Sequence, residues 1–345
     1  MMKVRKSVAA LAAAGLVASV SACGSGSGDE QIVIGSYGGD YDRFLEQFVH
    51  PVFEEASPDT SVVFDAGDVN ALITKLGAEA GGPGTYDVVN MTEKAQAQPI
   101  EDGLLEKLDT SKIPNWENID PDLRNDYCIP HVHSPITLIT NADAAEPLTE
   151  WEQFFEDDDV LQRAGIWSSW FDYVFYPAAV MHADGDPGED WSPGYDDSTH
   201  AGELMRMYGS AEQNGQGLIS GEIDYMVGPR ARAAQWSQQS GGDFRTVIPE
   251  SGTFTFVSTT CIPANAQNKD AAYAYLNAQL DPEAQQGFAS NMFYAPSVTN
   301  AAVDPELVDL IGVTEEEMQR IYPIDWQSRL EESPVIREMW DQATS

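Results

Sequence analysis

The chain has 345 residues, with 56 acidic against 18 basic side chains and a formal net charge of −38. A field this negative excludes nucleic acid as a partner, and no stretch of basic residues offsets it. The acidic residues are spread along the chain and not gathered in a tail. We therefore interpret them as a solvated surface, of the kind that keeps a protein soluble in high salt.

Residues 1–22 have the pattern of a secretory signal. Three basic residues precede an apolar stretch that is shorter than the roughly 20 residues needed to cross a bilayer. The motif "VSAC" then resembles the bacterial lipobox, in which the cysteine, here Cys23, is acylated and becomes the new N-terminus; an ordinary signal peptide is the alternative. Residues 23–30 are rich in Gly and Ser, which predicts a flexible tether. We expect a lipid-anchored domain at the outer face of the cell membrane.

Strands and helices alternate after the tether. "QIVIG" predicts a strand that runs into glycines, and residues 40–57 predict a helix with one apolar face. The pattern repeats through "SVVFDAG", "VNALITKLGAEA" and "YDVVNM", and it starts again after residue 141. This alternation predicts an α/β fold with two lobes, each a mainly parallel sheet flanked by helices.

The chain is predicted to cross between the lobes near residues 128–136 and again near 258–263. The resulting assignment is lobe I for residues 31–130 and 262–304, lobe II for residues 131–261, and C-terminal helices packed on lobe II for residues 305–345.

Two cysteines remain after the tether, Cys128 and Cys261, each in a β-leaning stretch and followed by Ile-Pro. Outside the cytoplasm an even pair favours a disulfide over two buried thiols. The sequence carries no G-x-S-x-G, H-E-x-x-H or P-loop signature, and His131 and His133 have no third metal ligand within sequence reach. We expect no enzymatic activity, no metal and no cofactor.

Several segments together resemble a known family. "YDVVNM", "YCIPH", "TEWEQFF", "GEIDYMVG", "CIPANAQNKDAAYAYLNAQL" and "MFYAPSVTNA" occur in the order found in solute-binding proteins of ABC importers, in particular the spermidine/putrescine-binding branch. The resemblance implies a type II periplasmic-binding-protein fold, whose hinge strands let two lobes close over one small solute. It also implies delivery to a membrane permease with a cytoplasmic ATPase. We expect the binding protein to be a monomer.

Ligands of open α/β sheets bind beyond the carboxyl ends of the strands, where loops and helix N-termini converge. Four loops there offer suitable groups: Tyr37, Gly38 and Gly39; Asn90, Thr92 and Glu93; Trp170, Phe171, Asp172 and Tyr173; and Tyr294, which matches a cleft tyrosine of the family. A plain turn is the alternative for the glycines, and a buried core is the alternative for some of the rings. A run of three rings around one acid favours a pocket, because in a core that charge would be buried without an obvious partner.

At several cleft positions this sequence differs from the polyamine binders of the family, and these differences indicate a different class of solute. Polyamine binders of the family hold ammonium groups with carboxylates and tryptophans. Here Ser258 replaces one acid and Phe256 replaces a tryptophan, while Arg230 follows the position of another cleft tryptophan. Arginine binds carboxylates or phosphonates bidentately, although a surface position for Arg230 is an equal alternative.

We therefore expect an aminobutyrate-like or aminophosphonate-like solute. Asp172 and the rings would hold its ammonium group, and Arg230 with the Gly38 and Gly39 amides would hold its acid group. Three alternatives stay open: a spermidine/putrescine binder, a ferric-ion binder that uses Tyr37 and Tyr294, and a surface lipoprotein without a transport role.

Overall fold

The structure is a computed structural model that describes residues 30–344, so the predicted signal, Cys23 and most of the tether lie outside the described residues. The strands are β1 (Glu30–Ser36), β2 (Thr60–Ala66), β3 (Val88–Thr92), β4 (Cys128–Asn141), β5 (Gly165–Trp167), β6 (Arg206–Tyr208), β7 (Tyr225–Pro229), β8 (Phe244–Val247), β9 (Thr255–Cys261) and β10 (Ala295–Pro296).

Helices connect nearly all of these strands. They are α1 (Gly39–Phe44), α2 (His50–Ala56), α3 (Val69–Glu79), α4 (Glu93–Glu101), α5 (Trp151–Phe155), α6 (Asp158–Gln162), α7 (Tyr176–His182), α8 (Tyr195–Leu204), α9 (Ala211–Ser220), α10 (Arg230–Ser240), α11 (Lys269–Gln279), α12 (Pro282–Met292), α13 (Pro305–Ile311), α14 (Glu315–Met318) and α15 (Ser333–Ala343). None of the helices in residues 30–344 combines the length and the hydropathy of a membrane span.

The strands divide the chain into two lobes that share one long strand. The first lobe has the strand order β10-β4-β9-β3-β1-β2, and the second lobe is built on β7 and β8, which both pair with the later part of β4. The predicted α/β fold with two lobes joined by hinge strands is confirmed. The sheet is mixed and not mainly parallel, because β1 pairs in parallel with β2 and β3 while β9 runs antiparallel to both β3 and β4.

The strand β4 explains how the lobes are joined. Its residues up to Pro135 pair with β9, and its residues from Ile136 onward pair with β7 and β8. The amide of Ile136 also donates to the carbonyl of Phe254, just before β9 begins. The two connections therefore run side by side at this point. The predicted division of the lobes at residues 130 and 261 stays a prediction.

Each lobe has its own hydrophobic core. The second core gathers aromatic residues from α5, α7 and the π-helical turn Phe171–Phe175, and it also takes in Trp326, Ile336 and Trp340 from the C-terminal segment. Trp340 of α15 stacks on Phe171, with ring centroids 3.9 Å apart. Burial of two large rings in this way fixes the C-terminal helix on the second lobe.

The cysteines lie directly opposite each other on β4 and β9 and form a disulfide. Both side chains are fully buried beside Leu105 and Met91 in a small third cluster. The bridge joins the two strands at the ends that lie farthest from the lobe junction, and it closes a sequence separation of 133 residues.

Candidate functional site

Aromatic side chains meet where the two cores come together. Phe256 of β9 packs against both cores. Its ring lies 5.3 Å from the ring of Tyr173 in the second lobe and 5.8 Å from that of Tyr294 in the first. Tyr173 also fixes the lobes to each other, because its hydroxyl accepts a hydrogen bond from the Val257 amide at 2.9 Å. These contacts bring aromatic groups of both halves together at the lobe junction.

A chain of hydroxyl groups lines the first-lobe side of the junction. The hydroxyls of Tyr37 and Tyr41 lie 3.3 and 3.5 Å from Ser258 Oγ, and the Tyr41 hydroxyl lies 2.6 Å from His131 Nδ1. Burial raises the pKa of Tyr37 and lowers the pKa of His131 to about 3. These groups are therefore neutral at physiological pH, and they act as hydrogen-bonding groups and not as charges.

Glu93 is the acidic group at this junction. It is the first residue of α4, directly beyond the carboxyl end of β3, where Thr92 caps the helix by accepting from the Ala95 amide. Desolvation by burial raises the pKa of Glu93 to about 7, and a hydrogen bond from Trp326 opposes that rise. Trp326 in turn lies edge-on to Tyr173, with ring centroids 5.0 Å apart. We call these residues the junction cluster: Tyr37, Glu93, Tyr173, Phe256, Ser258, Tyr294 and Trp326.

An ion cluster lies beside the junction cluster. Asp172 is bonded by Lys94 of α4 and by Arg337 of α15, whose Nη2 atom is 3.0 Å from Asp172 Oδ1. The carboxylate predicted to hold a solute ammonium therefore already has two cationic partners. The prediction for Asp172 needs correction, since the expectation of a charge without a partner overlooked side chains that are distant in sequence.

Three further predicted residues have structural roles within the first lobe. Asn90 donates to Ser36 Oγ and accepts from Thr260 Oγ1 at 2.7 Å, so it ties β1, β3 and β9 together. Gly38 and Gly39 have φ angles of 78° and 61°, which glycine adopts without strain in the turn from β1 into α1. The Gly38 amide donates to Asp42 Oδ1 at 3.2 Å, so it is engaged within the protein.

Two predicted aromatic residues belong to the core of the second lobe. Trp170 is buried against Trp167, with ring centroids 5.3 Å apart, and Phe171 is fully buried under Trp340. The alternative interpretation of these rings as core is therefore the one that the structure supports. Only Tyr173 of the aromatic run reaches the junction cluster.

Arg230 is also occupied by protein groups. Its Nη1 donates to the carbonyl of Gly312 and its Nη2 to Glu317 Oε1 at 2.6 Å, and the side chain is 9% exposed. It follows β7 at the start of α10 and binds the segment that leads into α14. The arginine thus holds the C-terminal segment, which does not fit its predicted role at a solute acid group.

Three residues near the junction were not predicted from the sequence: Lys94, Trp326 and Arg337. Lys94 follows Glu93 directly. It could have been predicted on the same ground as Glu93, namely a position just beyond the carboxyl end of β3. Trp326 lies between α14 and α15, in the segment for which the sequence predicted only C-terminal helices. The sequence offered no signal for Arg337, because the prediction that the C-terminal helices pack on lobe II does not show which of their side chains reach the junction.

The described part of the chain contains no group of three or more His, Cys, Asp or Glu side chains arranged to hold a metal ion. His133 Nε2 lies 3.1 Å from the carbonyl of Pro296, and His131 pairs with Tyr41. The two histidines thus have separate protein partners.

Comparisons with known proteins bear on the family and the fold of this chain. The family model described as "bacterial extracellular solute-binding protein" matches residues 51–314. The putrescine-binding periplasmic protein PotF of Escherichia coli K12 is 24% identical over 292 residues, which cover 76% of each chain.

Solved structures have the same fold. The Atu4243-GABA receptor superposes with a TM-score of 0.78 at 21% identity, over 92% of this chain and 98% of that one. An ABC transporter structure from Clostridium perfringens gives a TM-score of 0.75 at 20% identity, over 91% and 100% of the two chains.

Proposed function

Since this chain belongs to the bacterial extracellular solute-binding protein family, we propose that it captures a small amine-containing solute between its lobes and delivers it to an ABC permease. Contacts with both lobes would favour the closed form over the open one, and the closed form would dock on the permease. The protein would act by binding and release, without catalysis.

The observation that carries this proposal is the surrounding of Glu93. Its carboxyl group lies among aromatic side chains, and no basic side chain in residues 30–344 forms an ion pair with it. A carboxylate close to Tyr and Trp rings favours an organic ammonium group, through charge pairing and cation–π attraction. The raised pKa of Glu93 reflects the cost of removing its charge from water by burial.

The charge of the site bears on the kind of amine. A dicationic polyamine needs two carboxylates, but in the described residues Asp172 is already bonded to two cations. A solute with one ammonium group and an acid group, similar to an aminobutyrate or an aminophosphonate, is therefore our first proposal. A spermidine- or putrescine-like solute is the second. The names of similar proteins do not decide between them, because one is named for putrescine and another for GABA.

We expect isothermal titration calorimetry to detect binding of at least one class of small amine to the parent chain. The panel would contain amino acids, aminophosphonates, polyamines and quaternary ammonium compounds, with sugars and dicarboxylates as controls. Binding of a sugar or a dicarboxylate, with no response to any amine, would contradict the proposal.

Amine affinity should depend on pH through Glu93. Burial raises the pKa of this group to about 7, and an ammonium group binds the ionised form. Affinity should therefore be constant above about pH 8 and fall about tenfold for each pH unit below 7, which is about a hundredfold by pH 5. Calorimetry at pH 6 in buffers of different ionisation enthalpy should show proton release on binding. A constant affinity from pH 5 to pH 8 would rule out this role for Glu93.

A ferric-ion binder has less support than an amine binder. It would use Tyr37 and Tyr294, and the described residues hold no group of three or more His, Cys, Asp or Glu side chains arranged for a metal ion. Metal analysis of the purified protein tests this function directly.

Anchoring through an acylated Cys23 stays part of the proposal. The lipobox-like motif and the Gly/Ser-rich tether that follows it support this anchoring. Mass spectrometry of the mature N-terminus would test it, since acylation adds the mass of the lipid to a chain that begins at Cys23.

A further inference from the structure

The ion cluster of Lys94, Asp172 and Arg337 has two cations around one carboxylate. It therefore carries a surplus of one positive charge. This surplus is unusual in a chain with 56 acidic and 18 basic residues. A local excess of positive charge in a strongly negative protein attracts anions to that place.

The two cations have hydrogen-bond donors left over. A lysine ammonium has three N–H donors and a guanidinium has five. Arg337 uses Nη2 toward Asp172 and Nη1 toward the carbonyl of Ser168 at 3.1 Å. The side chains of Lys94 and Arg337 are 26% and 34% exposed, so neither is sealed inside the core.

The ion cluster and Glu93 are neighbours on both walls of the junction. Glu93 and Lys94 are consecutive residues at the start of α4, and Asp172 and Tyr173 are consecutive in the second lobe. Lys94 is bonded to Asp172, and burial together with the nearby charge of Glu93 raises the pKa of Tyr173. The start of α4 therefore meets the turn Phe171–Phe175 through both pairs, which brings a negative group and a positive cluster to the same part of the lobe junction.

We propose that Lys94 and Arg337 bind the anionic group of the solute whose ammonium group lies at Glu93. The inference rests on the proposed function and narrows its solute to a zwitterion with an amine at one end and a carboxylate or phosphonate at the other. Lys94 and Arg337, and not Arg230, would then bind the acid group of the solute. Asp172 is then a positioning residue, which holds the two cations in place.

The test compares two series of probes by isothermal titration calorimetry. One series is the ω-amino acids of three to six carbons, and the other is the α,ω-diamines of the same lengths. The parent chain should bind an amino acid more tightly than the diamine of equal length. Lys94→Gln and Arg337→Gln should each weaken amino-acid binding tenfold or more, while diamine binding stays the same or becomes tighter. Arg337→Lys, which keeps the charge, should retain part of the affinity.

The control variant is Lys112→Gln, which removes an exposed lysine that pairs with Asp270 and should change neither series. Equal weakening of both series by Lys94→Gln would mean that the ion cluster only holds the lobes together, and it would overturn the inference. A parent chain that prefers diamines would overturn it as well, while leaving the proposed function intact. A parent chain that binds neither series, nor any other amine, contradicts the proposed function itself.

Discussion

Glu93→Gln is expected to weaken amine binding by about 2–5 kcal/mol, which is roughly thirtyfold to several thousandfold. The carboxylate lies in a partly buried site among aromatic rings, where an ammonium group has lost its water and needs a negative partner. Glutamine keeps the shape and one hydrogen-bond acceptor but removes the charge. Titration calorimetry at pH 8, where the glutamate is ionised, measures the difference.

A matched control exists on the same helix. Glu101→Gln changes an exposed glutamate at the other end of α4 and should leave affinity unchanged. The Glu93→Gln variant without solute should unfold at the same or a higher temperature than the parent at pH 8, because the parent bears the cost of an ionised, desolvated carboxylate whose pKa is raised. Retention of full affinity by a folded Glu93→Gln variant would remove the basis of the proposed site.

Loss of the disulfide is expected to lower the free energy of unfolding by about 2–5 kcal/mol. The bridge between Cys128 and Cys261 closes a sequence separation of 133 residues. It therefore restricts the unfolded chain strongly. Urea unfolding of the parent and of the double variant Cys128→Ala/Cys261→Ala gives the difference.

Reductant provides the control for this measurement. It should move the unfolding midpoint of the parent toward that of the double variant, and it should leave the double variant unchanged. A parent midpoint that does not respond to reductant under unfolding conditions would show that the bridge contributes nothing to stability.

The architecture was largely predictable from the sequence because alternation of apolar strands and amphipathic helices is a local pattern. Strand direction is not local. The sheet is mixed because β9 pairs with β3 and β4, which precede it by more than a hundred residues. A residue pattern indicates that a strand is buried. It does not indicate which strand pairs with it, or whether the two run parallel or antiparallel.

The candidate site divides in the same way. Tyr37, Glu93 and Tyr294 were predicted as site residues because they follow strands or match a family motif, and the structure gathers them at the junction. Asp172 was misjudged because its partners Lys94 and Arg337 come from α4 and α15, far away along the chain. A charge that has no partner nearby in the sequence is therefore weak evidence for a solute contact. Folding can bring a partner from a distant part of the chain.

The position of β9 also constrains the order of folding. This strand lies between β3 and β4 in the sheet of the first lobe, yet it follows β5, β6, β7 and β8 in the chain. During synthesis or export from the N-terminus, β1, β2 and β3 emerge first and expose an unpaired edge on β3 until residues 255–261 arrive. An open strand edge invites pairing with other chains. The β3 edge of the nascent first lobe therefore stays open to such pairing until β9 has emerged.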